Sequence, residues 1–129
     1  MIYNHNYPIG IYDSGLGGLS AVKAIQRLLP NESLLYVADS ARVPYGSRVK
    51  EEIIHYNQET LTFLISKGVK LIICACNTSS AIAIPQLQNV SPVPLYGLIE
   101  AGAMLPPGIQ RVAVIATEAT VRSQAYRRA

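Results

Sequence analysis

The sequence contains no tryptophan, a single phenylalanine and only two cysteines among its 129 residues. The cysteines, Cys74 and Cys76, are too close together for an ordinary disulfide, which favours a reducing cytoplasm. A metal site is disfavoured too, because the only histidines, His5 and His55, are remote from this pair. We therefore expect a protein with no disulfide framework and no bound metal.

Charge and long apolar runs are also scarce. Only 15% of the residues are charged and half are hydrophobic, which predicts a globular domain rather than a disordered chain. No apolar run is long enough to span a membrane, and residues 1–7 have neither the basic region nor the apolar core of a secretory signal. The net charge of +3 is mild, and the basic residues near the end form no nucleic-acid-binding motif. We expect a cytoplasmic protein with neither a membrane nor a nucleic-acid partner.

The most informative stretch covers residues 71–80, where an apolar run ends in a thiol, an amide and three hydroxyls. This pattern is typical of a buried parallel strand that turns directly into a helix. Cys74, inside the apolar run, is predicted to be an ordinary core residue. Cys76 would lie at the helix N-terminus, where a thiolate is favoured. The pattern by itself leaves both a core role and a reactive role open for Cys76.

Strands alternate with helices along the rest of the chain. Strands are predicted at residues 9–12, 34–38, 95–99 and 112–116, beside the run that begins at residue 71. The intervening segments carry the apolar stripes of helices, and Pro85 is predicted to kink or end one of them. The order predicts an α/β fold: a parallel-sheet, three-layer sandwich with right-handed crossovers. Residues 1–98 are predicted to form this domain. Residues 99–129 are predicted to be a linker, one strand and part of a helix of a second α/β domain.

Ligands of parallel sheets bind beyond the carboxyl ends of the strands. The chain places several polar or flexible residues at those ends, namely Asp13, Ser14, Tyr45, Gly46, Cys76, Asn77 and Thr78. They are scattered in sequence, but the topology brings them to one edge of the sheet. Their convergence predicts a site more strongly than any one of them.

Two functions are compatible with such a site. The glycine-rich turn at residues 14–18 and Asp39 after the next strand imitate a dinucleotide-binding Rossmann-like module without catalytic activity. That imitation is defective, because Ser20 replaces the third glycine and the Asp13 carboxylate would repel a phosphate. The alternative is an enzyme that transfers a proton on a small amino acid or carboxylic acid. Cys76 would then be the base, Asp13 a neighbouring carboxylate, and nearby hydroxyls and amides the substrate's cradle.

Several motifs, in order, resemble those of bacterial glutamate racemases. They are IGIYDSGLGGL at residues 9–19, DSARVPYG at 39–46, ACNTSSA at 75–81, YGLIEAG at 96–102 and ATEATVRS at 116–123. The match covers nearly the whole chain from residue 9. The last motif is similar to the segment that begins the second domain of that family.

The resemblance implies a racemase-type fold and the interconversion of L- and D-glutamate without a cofactor, which supplies D-glutamate for peptidoglycan. Cys76 would correspond to the first of two catalytic cysteines, and Asp13 to the acidic residue that assists it. The implied substrate-binding residues are Ser14, Tyr45, Gly46, Asn77, Thr78, Thr117 and Thr120. The substrate is implied to be glutamate, and a homodimer is left open for the full-length form.

One departure from that family is large. Its members are longer, and their second cysteine lies in a later Gly-Cys-Thr-His segment that is not found here. Cys74 cannot replace it, because residues i and i+2 of a strand point to the same side and cannot enclose a substrate from two faces. We therefore expect an N-terminal portion of a racemase that is inactive alone.

Overall fold

The computed structural model describes residues 6–129. Residues 1–5 lie outside the described residues. They include His5 and most of the N-terminal segment in which no secretory signal is predicted. The described chain forms a parallel sheet of four strands in the order β2-β1-β3-β4. The strands are β1 (Ile9–Asp13), β2 (Leu34–Ala38), β3 (Leu71–Cys74) and β4 (Leu95–Tyr96).

Helices follow the strands in turn. They are α1 (Leu19–Leu28), α2 (Lys50–Ser66), α3 (Asn77–Ile82), α4 (Ile84–Leu87), α5 (Ile99–Ala103), α6 (Glu118–Ser123) and α7 (Ala125–Arg128), with a short 3-10 helix at Tyr45–Ser47. The break between α3 and α4 lies next to Pro85, as predicted. The predicted parallel α/β architecture is confirmed. No helix in the part of the chain described is long and apolar enough to cross a membrane.

Strand β1 is the centre of the sheet, and all five of its residues are buried. It pairs with β2 on one side and β3 on the other, so that Ile11 lies opposite both Tyr36 and Ile73. A strand enclosed on both faces and both edges needs a nearly continuous apolar sequence, which β1 has up to Asp13. The core beneath it includes the fully buried Ile53 and Leu64 of α2.

The strand order reverses between β1 and β3. The chain leaves β1 towards β2, then crosses back over β1 to build β3 and β4. At such a switch point the connections diverge and leave a crevice at the carboxyl ends of the two strands. Asp13 ends β1 at this crevice, and the Ala75 N–H donates to the Tyr12 carbonyl at 2.7 Å to join the two strand ends.

Two predicted strands differ from the structure. The fourth strand ends at Tyr96, and Ile99 begins α5 instead of continuing the strand. The predicted fifth strand at residues 112–116 is wrong, because this segment is irregular and its Ile115 side chain is fully exposed. A strand needs a neighbour to accept and donate ladder hydrogen bonds. No described strand pairs with this segment, which therefore makes no ladder hydrogen bonds.

The helices that follow β4 pack against the earlier helix α3. Ala81 of α3, Ile99 of α5 and Ala125 of α7 form a small buried cluster of their own. Helix α6 packs against α3 as well as against the 3-10 helix. This packing brings the segment around Thr117 and Thr120 to the carboxyl edge of the sheet. The predicted boundary at residues 98 and 99 stays a prediction.

Candidate active site

Cys76 follows β3 and caps the first turn of α3. Its backbone is extended, and its sulfur accepts the N–H of Ser79 at 3.5 Å. Only 5% of the residue is exposed. The apolar run ends where the chain leaves the sheet, so the first polar side chains of the segment lie at the switch point. The structure therefore places Cys76 at the crevice rather than within the sheet.

Cys74 lies on strand β3, two residues before Cys76. It is fully buried within the main hydrophobic core. Burial, and then the neighbouring Cys76, raise the pKa of the Cys74 thiol to about 12. A thiol that stays protonated and inaccessible cannot act as a base near neutral pH. The prediction that Cys74 is a core residue is confirmed.

The side chain of Ser14 connects the sulfur to a carboxylate. The Cys76 thiol donates to the Ser14 hydroxyl oxygen at 3.4 Å, and the Ser14 hydroxyl donates to Asp13 Oδ1, also at 3.4 Å. Cys76 and Asp13 thus lie at the two ends of one hydrogen-bonded path. A proton leaving or reaching the sulfur has a polar route through the hydroxyl to an acceptor.

The glycine-rich turn after β1 is shaped around Asp13. The carboxylate accepts the N–H of Ser14 and the N–H of Gly18, each at 2.8 Å. Gly18 lies so close that a Cβ added to it would be 2.7 Å from Asp13 Cβ and 3.0 Å from Ala75 Cβ. Asp13 thus uses the Gly18 amide that a pyrophosphate would need, which argues against the dinucleotide-binding alternative.

A second group of predicted residues gathers beside the first. The hydroxyls of Thr78 and Thr117 lie 2.8 Å apart, and those of Thr117 and Thr120 lie 2.9 Å apart. Gly46 fits against Thr117, since a Cβ at Gly46 would be only 2.6 Å from the Thr117 Cβ. Thr78 and Thr120 are buried while Thr117 is exposed. The hydroxyl of Thr117 thus lies between those of the two buried threonines and also accepts the Thr120 N–H at 3.4 Å.

Tyr45 is also at this edge, but its hydroxyl is engaged elsewhere. It donates to Asp39 Oδ2 at 2.5 Å, and the ring packs at a tilt against Tyr56. Burial, and then the hydrogen bond to Asp39, raise the pKa of the Tyr45 hydroxyl far above its ordinary value, so it stays a donor. Tyr45 thus anchors the 3-10 helix. The backbone at Gly46, rather than the Tyr45 hydroxyl, faces the threonine cluster.

Asn77 has a partner that the sequence did not indicate. Its side-chain oxygen accepts the hydroxyl of Tyr126 at 3.0 Å, and the Tyr126 ring lies against Gly102. No spacing or periodicity relates Tyr126 to Asn77. Only the return of α7 onto α3 brings the two together, so the pairing was not predictable from the pattern.

The predicted residues therefore form two adjoining groups joined by the first turn of α3. One comprises Asp13, Ser14 and Cys76, and the other comprises Gly46, Thr78, Thr117 and Thr120. The first group has a thiol and a carboxylate for proton transfer. The second has hydroxyls suited to holding a carboxylate. Asn77 borders both, and the Tyr45 hydroxyl belongs to neither.

Known proteins match this chain in sequence. The sequence profile described as Asp/Glu/Hydantoin racemase matches residues 16–129. The chain belongs to this family. It is 50% identical over 125 residues to the glutamate racemase of Picosynechococcus sp., covering 95% of this chain and 44% of that protein. It is 47% identical over 124 residues to the glutamate racemase of Aquifex aeolicus, covering 94% and 49%.

Solved structures of the family have the same fold. Glutamate racemase from Thermus thermophilus in complex with β-chloro-D-alanine superposes with a TM-score of 0.91 at 45% identity, covering 97% of this chain and 49% of that one. Glutamate racemase from Francisella tularensis in complex with D-glutamate gives a TM-score of 0.90 at 45% identity, covering 96% and 47%. The resemblance identified from the motifs is confirmed, and so is the racemase-type fold.

The matches cover nearly all of this chain but only part of each relative. Nearly all of this chain is matched, yet it spans about half the length of the curated relatives. The family therefore applies to the whole chain.

Proposed function

We propose that this chain provides the part of a cofactor-independent glutamate racemase that carries the first catalytic cysteine. The observation that carries the proposal is the hydrogen-bonded path from the Cys76 thiol through Ser14 to Asp13 at the topological switch point. The identity to glutamate racemases over almost the whole chain supports it.

In this mechanism Cys76 acts on one face of the α-carbon. As a thiolate it removes the α-proton, and as a thiol it returns a proton in the reverse direction. Asp13 is the neighbouring carboxylate that assists, with Ser14 between the two. Cys74 and Tyr12 are buried and belong to the same core cluster as Cys76. Side chains alone provide this proton transfer.

The same edge of the sheet would hold the substrate. The hydroxyls of Thr78, Thr117 and Thr120, the amide of Asn77 and the backbone at Gly46 are grouped beside the thiol. Such donors bind carboxylates well when they are preorganised. A dicarboxylic amino acid suits the site, with one carboxylate held near the threonine cluster while the α-carbon faces Cys76.

Racemisation needs a second group on the opposite face of the α-carbon. A base that removes a proton and returns it to the same face restores the starting enantiomer, so inversion uses two groups. This chain has no cysteine besides Cys74 and Cys76. We propose that residues outside this chain provide the second group, and that residues 99–129 begin the domain that carries it.

The wider setting follows from the same proposal. D-glutamate made by such an enzyme would be used for peptidoglycan and thereby for cell-wall biogenesis and cell shape. The enzyme would work in the cytoplasm, and the full-length form could be a homodimer.

A chimera tests the proposed function directly. This chain would replace the matched half of the Thermus thermophilus glutamate racemase, whose structure superposes closely on it. We expect the chimera to racemise glutamate, and Cys76→Ala to lower kcat by at least about 100-fold, as for loss of a general base. Circular dichroism would check that each protein is folded.

Cys74→Ala provides the matched control, since it removes a thiol from the same strand. Its effect should be on stability rather than on kcat, because Cys74 lies wholly in the core. A folded chimera with no activity would overturn the proposal. So would a chimera whose activity survives Cys76→Ala.

A further inference from the structure

Helix α2 carries a polar side chain in the middle of the core. Asn57 is fully buried, between Ile53 and Leu61 on the inner face of the helix. Burying an amide is unfavourable unless hydrogen bonds replace those it made with water. Asparagine is also a poor helix former. Nothing in the proton path or the threonine cluster uses this residue directly, so its presence calls for a physical reason.

Three hydrogen bonds satisfy the Asn57 amide. Its oxygen accepts the hydroxyl of Tyr12 at 2.6 Å. Its nitrogen donates to the carbonyl oxygen of Ile53 at 2.6 Å and to the hydroxyl oxygen of Ser79 at 3.1 Å. The bond to Ile53 fixes the side chain on its own helix. The other two reach a strand and a different helix.

The two distant partners both adjoin the proposed proton path. Tyr12 is the residue before Asp13 on β1. Ser79 lies in the first turn of α3, and its backbone N–H donates to the Cys76 sulfur at 3.5 Å. One amide therefore ties the end of β1, which carries Asp13 and Ser14, to the helical turn that holds Cys76.

The orientation of the amide follows from its partners. Burial, and then the nearby Cys74, raise the pKa of the Tyr12 hydroxyl well above its ordinary value, so that hydroxyl stays a donor. The carbonyl oxygen of Ile53 can only accept, so the Asn57 nitrogen faces Ile53 and Ser79, and its oxygen is left to accept from Tyr12. Ser79 is itself fully buried. Its hydroxyl oxygen is held as an acceptor, which restrains the backbone amide directed at the sulfur.

We propose that Asn57 is a positioning residue for Cys76, acting through Ser79 beneath the site. It sets the first turn of α3 against β1, so that the sulfur meets the Ser79 N–H below and the Ser14 hydroxyl above. The importance of this role for catalysis rests on the proposed function. The hydrogen bond from Asn57 to Ser79 is a property of the folded chain.

The test measures alkylation of Cys76 by iodoacetamide in this chain, with mass spectrometry to resolve it from Cys74. In Asn57→Leu, which keeps similar volume without polar atoms, we expect Cys76 to react about fivefold more slowly, the effect of one lost hydrogen bond. Cys74 should stay protected. An unchanged Cys76 rate would overturn the inference, and so would faster labelling of both thiols, because both outcomes mean that Asn57 only supports the core.

Two further variants keep the test decisive. Leu64→Ala, in the same helix and equally buried, is the control for loss of packing and should not slow Cys76 relative to Cys74. Ser79→Ala removes the intermediate, so Asn57→Leu should have no additional effect on the Cys76 rate in that background. Independent, multiplicative effects of the two substitutions would contradict the proposed route through Ser79.

The chimera gives a second readout. There, Asn57→Leu should lower kcat about fivefold and leave KM unchanged, because the amide orients the base and not the substrate. An equal change in KM would contradict the positioning role. Since alkylation needs no racemase activity, failure of this inference and failure of the proposed function are distinguishable.

Discussion

The Cys76 sulfur lies 3.4 Å from the Ser14 hydroxyl oxygen, although 62 residues separate them in sequence. Their contact is a consequence of register, because Tyr12 pairs with Cys74 across the ladder that joins β1 to β3. Each residue lies two positions beyond this pair. A shift of one residue would turn either side chain to the other face of the sheet. The proton path is therefore as precise as the pairing of the central strands.

We expect Cys76 to be alkylated faster than Cys74 in the native chain. Cys74 is fully buried and its pKa is raised to about 12, so it offers neither access nor thiolate. Competitive labelling with isotopically distinct iodoacetamides at pH 8, read by mass spectrometry, would measure both rates. Denatured protein, in which both thiols are accessible, is the control. Preferential labelling of Cys74 in the native chain would show that Cys74, and not Cys76, is the more reactive thiol.

Adjacent glycines in the turn after β1 should respond differently to alanine. A Cβ at Gly18 would lie 2.7 Å from Asp13 Cβ, whereas one at Gly17 would meet only Asp13 Oδ2 at 3.5 Å. We expect Gly18→Ala to lower the free energy of unfolding by about 1–3 kcal/mol, as overpacking does. Gly17→Ala should change it by less than about 1 kcal/mol. Urea denaturation would compare them, and equal effects would contradict the close approach.

Much of this fold is predictable from local pattern. The strands at β1, β2 and β3 are apolar runs followed by polar residues, and the helices between them carry apolar stripes. Alternation then gives the parallel sheet, and the sheet gives the edge at which Asp13, Ser14 and Cys76 meet. The same pattern predicts that Cys74 is a core residue, because it lies inside the apolar run. For Cys76, which follows the run, the pattern left both a core role and a reactive role open.

What the pattern could not provide depends on tertiary contacts. The segment at residues 112–116 has strand-like residues, but a strand also needs a neighbour, and a sequence does not show whether one is present. The hydroxyl of Tyr45, a residue predicted to bind substrate, donates to Asp39, and the packing of a loop sets this contact. The links from Asn57 to Tyr12 and Ser79, and from Tyr126 to Asn77, cross the fold without any periodic signal.

Gly46 should tolerate no side chain while Thr117 is present. Its added Cβ would lie 2.6 Å from Thr117 Cβ, so Gly46→Ala must displace either the 3-10 helix or the threonine cluster. We expect a loss of about 1–3 kcal/mol in stability. Thr117→Gly removes the obstructing atoms, and glycine is an acceptable helix N-cap. The double variant should therefore be no less stable than Thr117→Gly alone. Additive losses in urea denaturation would show that this contact is not the obstacle.

The irregular segment at residues 112–116 should promote self-association. Ile115 is fully exposed and Val112 is 53% exposed, so this apolar segment leaves a hydrophobic surface in contact with solvent. We expect Ile115→Lys to lower the average mass measured by light scattering at high protein concentration. Gln110→Lys, at an exposed position nearby, adds the same charge without removing an apolar group. An equal decrease with Gln110→Lys would assign the effect to net charge instead.

The last prediction is that this chain by itself does not racemise glutamate. Cys76 can exchange a proton with only one face of the α-carbon. Cys74 cannot serve the other face, because it is fully buried and its thiol donates to the Cys76 carbonyl.

The experiment incubates the chain with L-glutamate in deuterium oxide and follows α-deuterium incorporation together with optical rotation. Exchange by a single base retains configuration, so slow deuterium uptake with constant rotation agrees with the prediction. Cys76→Ala should abolish that uptake, while Cys74→Ala should not. Sustained loss of optical activity that depends on Cys76 would mean that half a site suffices, because a proton would then be reaching the far face without a second protein group.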